Sequence, residues 1–198
     1  MKRRAYADHA YWARPVPGFG DPGAAILLLG LAPGAHGSNR TGRMFTGDAS
    51  GDFLYPALYR AGLASQPEGR SADDGMRLSG VWITAALRCV PPGNRPRRDE
   101  VAACRRWLEH DLALLPTLRV IVALGRIAHD AYLDLLRGRG ADLVKARHPF
   151  SHDVLHELGA GPPVLDTYHV SFQNTNTGRL TPAMFDAVLA RAKRLAGL

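Results

Sequence analysis

Lysine is nearly missing from this sequence: Lys2, Lys145 and Lys193 are the only three among 25 basic residues. Arginine therefore supplies almost all the positive charge, and its planar fork grips phosphate oxygens in pairs. Long apolar runs are also missing. The longest, Ala24 to Ala32, stops at Pro33 and falls well short of the roughly 20 residues a membrane helix needs. The opening, Met1 to Arg4, is basic but continues as Ala5-Tyr6-Ala7-Asp8-His9 with no apolar core or cleavage site. It does not read as a secretory leader, and the expected location is the cytoplasm. Glycine and proline, at 21 and 14 residues, are too few for a low-complexity segment.

What is present fits a folded protein. The 198 residues, 46% hydrophobic and 22% charged, predict one domain over 1–198 that buries a core without staples. The formal net charge of +7 and sequence pI near 9.9 favour a polyanionic partner. A bias toward arginine codons would give the same composition, so placement decides. Arg88, Arg95, Arg97, Arg98, Arg105 and Arg106 crowd one stretch against only Asp99 and Glu100. Arg40, Arg43 and Arg179 stand in Gly/Asn/Thr-rich segments suited to tracking a phosphate backbone.

Four short apolar segments read as buried strands: Ala24 to Leu31, Val81 to Leu87, Arg119 to Leu124 and Pro163 to Val170. Between and after them lie helical patterns over Asp52 to Ala61, Arg98 to Leu115, Arg126 to Arg137, and from Thr181 to about Leu195, where Thr181-Pro182 supplies an N-cap and first-turn proline. Strands alternating with helices predict a three-layer α/β/α sandwich around a mostly parallel, four-stranded sheet. Gly138 to Pro163 is mixed in character and reads as a hairpin or an irregular loop.

Ligands of open α/β sheets bind beyond the carboxyl ends of the strands, so the loops there carry the functional signal. The first runs from Gly30 to Asp48 with five glycines in 19 residues, which permits close backbone approach to a ligand. It is no P-loop, lacking Gly-Lys-Ser/Thr, and no dinucleotide fingerprint, lacking Gly-x-Gly-x-x-Gly. The second contains Cys89-Val-Pro-Pro-Gly-Asn94-Arg-Pro and the last His169-Val-Ser171-Phe-Gln-Asn174 through Arg179.

Together with Arg14-Pro-Val-Pro-Gly-Phe-Gly-Asp21 and Ala123-Leu-Gly-Arg-Ile-Ala128, these loops resemble the uracil-DNA glycosylase superfamily. The wording is close to family 5, the bacterial and archaeal branch with a four-cysteine iron-sulfur cluster, and the resemblance covers nearly the whole chain. It implies that fold, and a base-excision enzyme acting on uracil or other deaminated bases in DNA, with no membrane role and a monomeric state. Such an enzyme flips its nucleotide out of the duplex, stacks the base on an aromatic ring and hydrogen-bonds its edges. Phe45, flanked by Gly42 and Gly47, is the expected stacking ring; Gly30, Ala32, Gly34, His36 and Ala85 complete the expected pocket.

The resemblance places water activation on Asp48 and Asn94, and stabilisation of the departing base on His169. Taken singly, Asp48 also reads as a helix N-cap and Asn94 as a turn residue. Ser171 is expected at a flanking phosphate, with Phe172, Gln173 and Asn174 forming a loop that probes the minor groove. Asn39, Arg40, Arg43 and Arg179 are further expected DNA contacts. Thr84-Ala85-Ala86 lacks the asparagine that related families use to read uracil, which predicts broader base specificity.

Cys89 and Cys104 match the second half of the family's cluster ligands, two of the four a 4Fe–4S centre takes. The resemblance implies an upstream Cys-x-x-Cys that is missing here, so either the chain starts at an internal methionine or the cluster has been lost. Two competing classes stand beside the glycosylase. A zinc hydrolase is suggested by His148, His152 and His156, spaced every four residues, but Pro149 undermines a helix there and no His-Glu-x-x-His is present. A non-catalytic nucleic-acid-binding module on the same fold is opposed by Asp48, Asn94 and His169 occurring together.

Overall fold

A computed structural model describes residues 4–198. In chain order the elements are β1 (Phe19–Gly20), β2 (Ile26–Gly30), α1 (Ser38–Thr41), α2 (Ala49–Arg60), β3 (Val81–Ala85), α3 (Arg98–Ala113), β4 (Val120–Leu124), α4 (Arg126–Gly138), β5 (Leu155–His156), β6 (Val164–Thr167), α5 (Phe172–Asn176) and α6 (Pro182–Ala196). The strands make one sheet in the order β1-β3-β2-β4-β6-β5.

The four expected strands are its parallel centre. The count of four is corrected to six, because β1 and β5 pair antiparallel along the two edges. Two-residue strands are too short to show an alternating pattern, which is why the sequence does not announce them.

Each central strand is apolar throughout because both faces of the sheet are covered. In β2, Ile26 and Leu28 face Leu54 and Leu58 of α2 and Phe185 and Leu189 of α6. Leu27 and Leu29 face the other way, onto Leu108 of α3 and Tyr132 and Leu133 of α4. This is the three-layer sandwich the alternation of elements predicts. Among the described residues no helix is long and apolar enough to cross a membrane.

Helix boundaries follow local chemistry. Thr181 caps α6, its hydroxyl accepting from the Met184 amide, with Pro182 in the first turn. Helix α2 begins earlier than the apolar pattern indicates because Asp48 caps it, accepting from the Ser50 and Gly51 amides. The expected strand-end loops all emerge from one edge of the layers, and there the chain folds back on itself: the Trp12 and Ala13 amides donate to the carbonyls of Arg40 and Asn39, and the Val16 amide to that of Arg88.

Candidate active site

A cavity of about 250 Å³ opens at the carboxyl ends of the strands, lined by the β2 loop together with Pro91, Asn94, His169 and Ser171. Asp48, Phe45, Ala32 and Gly34 are in its wall. All three expected catalytic residues, far apart in sequence, are thus on one cavity.

Phe45 is almost fully buried and adopts a left-handed backbone conformation, φ 54°. An aromatic residue there is strained, and such strain persists where the surroundings over-determine it. Its ring lies against the end of β2, where a Cβ on Gly30 would come within 2.7 Å of the ring edge. Across the cavity the His169 ring is tilted to it, centroids 6.4 Å apart. Burial pushes His169 down to about 4, so at neutral pH it is an uncharged imidazole with one N–H to donate. The Asn174 side-chain amide donates to the His169 carbonyl at 2.8 Å and holds that backbone in place.

Asp48 does two things at once. Its Oδ1 accepts from the Ser50 and Gly51 amides at 3.0 and 3.3 Å, so the helix-cap reading holds. Its Oδ2 faces Gly34 and Gly37, which leave room for it: a Cβ on Gly34 would approach to 2.6 Å, and one on Gly37 would overlap it outright. Burial raises the Asp48 pKa above the ordinary carboxylate value, only partly opposed by the two cap hydrogen bonds. Gly37→Ala is expected to displace this carboxylate and slow the reaction it serves by at least about tenfold, with ligand affinity retained. A single-turnover rate equal to wild type in that variant would show that Oδ2 does not act in the reaction.

Several expected contacts are placed elsewhere. Arg43 is corrected outright: it is 3% exposed, forks onto Asp74 with both contacts at 2.6 Å, and donates to the Thr46 hydroxyl. It ties the β2 loop to the 70–76 turn and does not face DNA. Asp74 is held well below the usual carboxylate range by the Arg43 guanidinium and by the Met76, Arg70 and Ser71 amides, against a desolvation that pushes it up. Asp74→Ala leaves Arg43 buried without a counter-charge, and is expected to lower the free energy of unfolding by about 3 kcal/mol, the low end for breaking a buried pair from one side. Urea denaturation monitored by tryptophan fluorescence measures it.

Arg40 is half-buried, spends its guanidinium on the His36 and Gly47 carbonyls and stacks over Tyr6. Asn39 turns back to the Ala35 carbonyl. Both brace the loop. His36 lines a neighbouring hollow that shares Gly34, Asp48 and Asn94 with the cavity, and its Nδ1 is hydrogen-bonded to the Tyr11 hydroxyl. Gly30 and Ala85 are paired in register at the sheet's edge of the site, one layer beneath the cavity wall. Arg88, read as part of a basic crowd, is buried on Asp111.

Phe172, 63% exposed, Gln173 and Arg179 remain open to solvent beside the cavity, with Arg179 stacked over Tyr168. Ser171 caps α5 and lines the cavity. Sequence reasoning missed Ser38, Met44, Ser50 and Pro91 in the wall; none stands in a pattern that would have singled it out.

A profile of the Uracil DNA glycosylase superfamily matches residues 17–193. The chain belongs to that superfamily. It is 61% identical over 197 residues to the Type-5 uracil-DNA glycosylase of Thermus thermophilus, covering 100% of this chain and 87% of that protein. It is 52% identical to that of Mycobacterium tuberculosis, covering 100% and 73%. A Methanosarcina acetivorans protein solved by solution NMR shares the fold at a TM-score of 0.52 and 18% identity, covering 92% of this chain and 98% of that one.

This 198-residue sequence holds two cysteines. Cys89 is exposed after β3 and Cys104 is half-buried on α3. Local desolvation and then the neighbouring Cys104 push the Cys89 thiol up, so the two are close enough for one thiolate to disfavour the other. They are half of a four-thiolate donor set, and the residues present do not by themselves fit a 4Fe–4S centre.

Proposed function

We propose that the protein is a DNA-repair glycosylase that hydrolyses the N-glycosidic bond of uracil and related deaminated bases in DNA, leaving an abasic site, with the whole chain as one glycosylase domain. The observation that carries the assignment is the division of labour within Asp48: one oxygen is anchored to the start of α2 and the other is free in a cavity that Phe45 and His169 face. A base extruded from the duplex enters that cavity and stacks on Phe45. Asp48 Oδ2, with Asn94 on the wall of the same cavity, orients a water toward C1′ of the sugar and takes its proton. The C1′–N1 bonding pair leaves with the base, and the His169 N–H donates to the oxygen on which the negative charge collects. The products are the free base and a sugar carrying the water's hydroxyl.

A covalent lyase route is not supported by the lysines. Lys145 is paired with Asp130 and Asp134, Lys193 donates to the Ala61 carbonyl, neither lines the cavity, and Lys2 lies outside the described residues. Phe172 on its short helix is placed to enter the gap left by the flipped nucleotide, a wedge role that exposed apolar side chains play. Cys89 and Cys104 would supply two ligands of the cluster that the resemblance implies. The expected location is the cytoplasm.

The test is excision from uracil-containing single- and double-stranded oligonucleotides. Strand breaks are expected only after alkali or heat, no adduct is trapped by borohydride, and binding weakens steeply as salt rises. Strand cleavage without alkali or heat would overturn the hydrolytic mechanism, and tight binding without excision would favour a non-catalytic module.

A further inference from the structure

Apart from the cavity lining, a second cluster of chemistry-bearing side chains is unused by the reaction. Among the described residues, His129 of α4, His156 of β5 and Asp166 of β6 bring one ligating atom each within 4.8 Å of one another, and all three are buried. Asp166 is fully enclosed, and its ion partners are the two imidazoles, His129 Nδ1 at 2.8 Å and His156 Nε2 at 3.1 Å. A carboxylate taken out of water needs compensating positive charge, and among the described residues no arginine or lysine is paired with it.

We propose that His129, His156 and Asp166, joined by His148, form a site for one divalent cation of zinc type with a structural role. The side chains differ from the sequence pattern of His148, His152 and His156: His152 instead stacks on Tyr168, His148 follows a single 3-10 turn over Lys145–Arg147, and His156 lies in β5, so no one helix carries the three.

Three features of the geometry carry the assignment. Zinc at about 2.0–2.1 Å from four tetrahedral ligands separates the ligating atoms by about 3.4 Å and the ring centres of two bound imidazoles by roughly 5 Å. The His129–His156 centroid distance of 5.1 Å lies close to that frame, and the Asp166 carboxylate reaches both rings through a different oxygen each, Oδ1 at 2.8 Å from His129 Nδ1 and Oδ2 at 3.1 Å from His156 Nε2.

A ligating histidine usually donates its other ring N–H to a carbonyl or carboxylate, which fixes its tautomer. His129 does this: Nδ1 points to the cluster and Nε2 donates to the His148 carbonyl at 2.9 Å. The Ser151 amide donates to Asp166 Oδ2 and orients the carboxylate in the same way.

The fourth position has a candidate. The His148 ring centroid is 5.7 Å from that of His156. An ion there would clamp together α4, the two-residue strand β5 and β6, and β6 leads within three residues to His169.

Metal-depleted protein is expected to take up one Zn²⁺ per chain in competition with a chromophoric chelator, and its thermal midpoint to rise on binding. His156→Gln is expected to lose both effects, and the double variant Cys89→Ser/Cys104→Ser to keep both. Absence of stoichiometric uptake, or uptake that disappears with the cysteines and survives in His156→Gln, overturns the proposal. Should His156→Gln fail to fold, Co²⁺ substitution of the wild-type chain decides. Ligand-field bands of a tetrahedral nitrogen and oxygen site support the assignment, while strong thiolate charge-transfer bands, or no cobalt spectrum, overturn it.

Discussion

Replacing Asp48 with asparagine is expected to slow single-turnover excision by about 100- to 10,000-fold, the span of general-base contributions, with DNA affinity largely unchanged. Asparagine keeps an oxygen for the Ser50 and Gly51 amides, so the start of α2 stays capped. What it cannot do is accept a proton from water. Because burial raises the Asp48 pKa, wild-type activity should fall on acidification at a pH above the ordinary carboxylate range, where Asp48 becomes protonated.

The effect on folding has the opposite sign. The folded state favours the protonated acid, so the contribution of Asp48 to stability is fully present below the ordinary carboxylate value and is lost as pH rises through the raised one. At neutral pH the asparagine variant should therefore be at least as stable as wild type. Quench-flow excision rates and thermal unfolding of the same preparation test both statements. A variant as active as wild type would remove Asp48 from the chemistry, and an inactive but strongly destabilised one would show that the fold, and not the proton acceptor, had been lost.

His169→Ala is expected to reduce the chemical step by about 100- to 1,000-fold, the usual effect of removing one donor to a developing anion. The imidazole is neutral at working pH, since burial holds it at about 4. In the proposed mechanism the departing base would thus be stabilised by a hydrogen bond and not by a full positive charge. The pH–rate profile should accordingly lack a limb at the ordinary imidazole value. A limb there that vanishes in His169→Ala would mean that DNA binding charges the ring. Asn174→Ala, which frees the His169 carbonyl, should give a milder loss in the same step.

The layers of the fold were legible because each central strand is buried on both faces and each long helix has recognisable ends. Val120–Leu124 and Pro182–Ala196 fall within one residue of expectation. The edge strands were not legible, since a two-residue pairing leaves no period to read.

In the site, the motifs identified the wall, and Asp48, Asn94, Phe45 and His169 do share one cavity. They could not tell which way an arginine points. Arg43 and Arg179 look alike in loops of similar composition, yet one is buried on Asp74 and the other is open to solvent. The difference is made by an acid 31 residues away, a tertiary fact with no local signature. Likewise His129 stands on an ordinary helical face, and only the sheet brings it to Asp166.

The short antiparallel strands along the sheet margins bear on how the molecule behaves when crowded. Parallel strands with free outer edges offer rows of amides and carbonyls to any neighbouring chain, the usual start of intermolecular pairing. Here β3 and β6 are each covered by a strand of only two residues, too brief to template another. The margins are thereby blunted within the chain itself, and among the described residues this sheet offers no extended border at which copies of the chain could zip together.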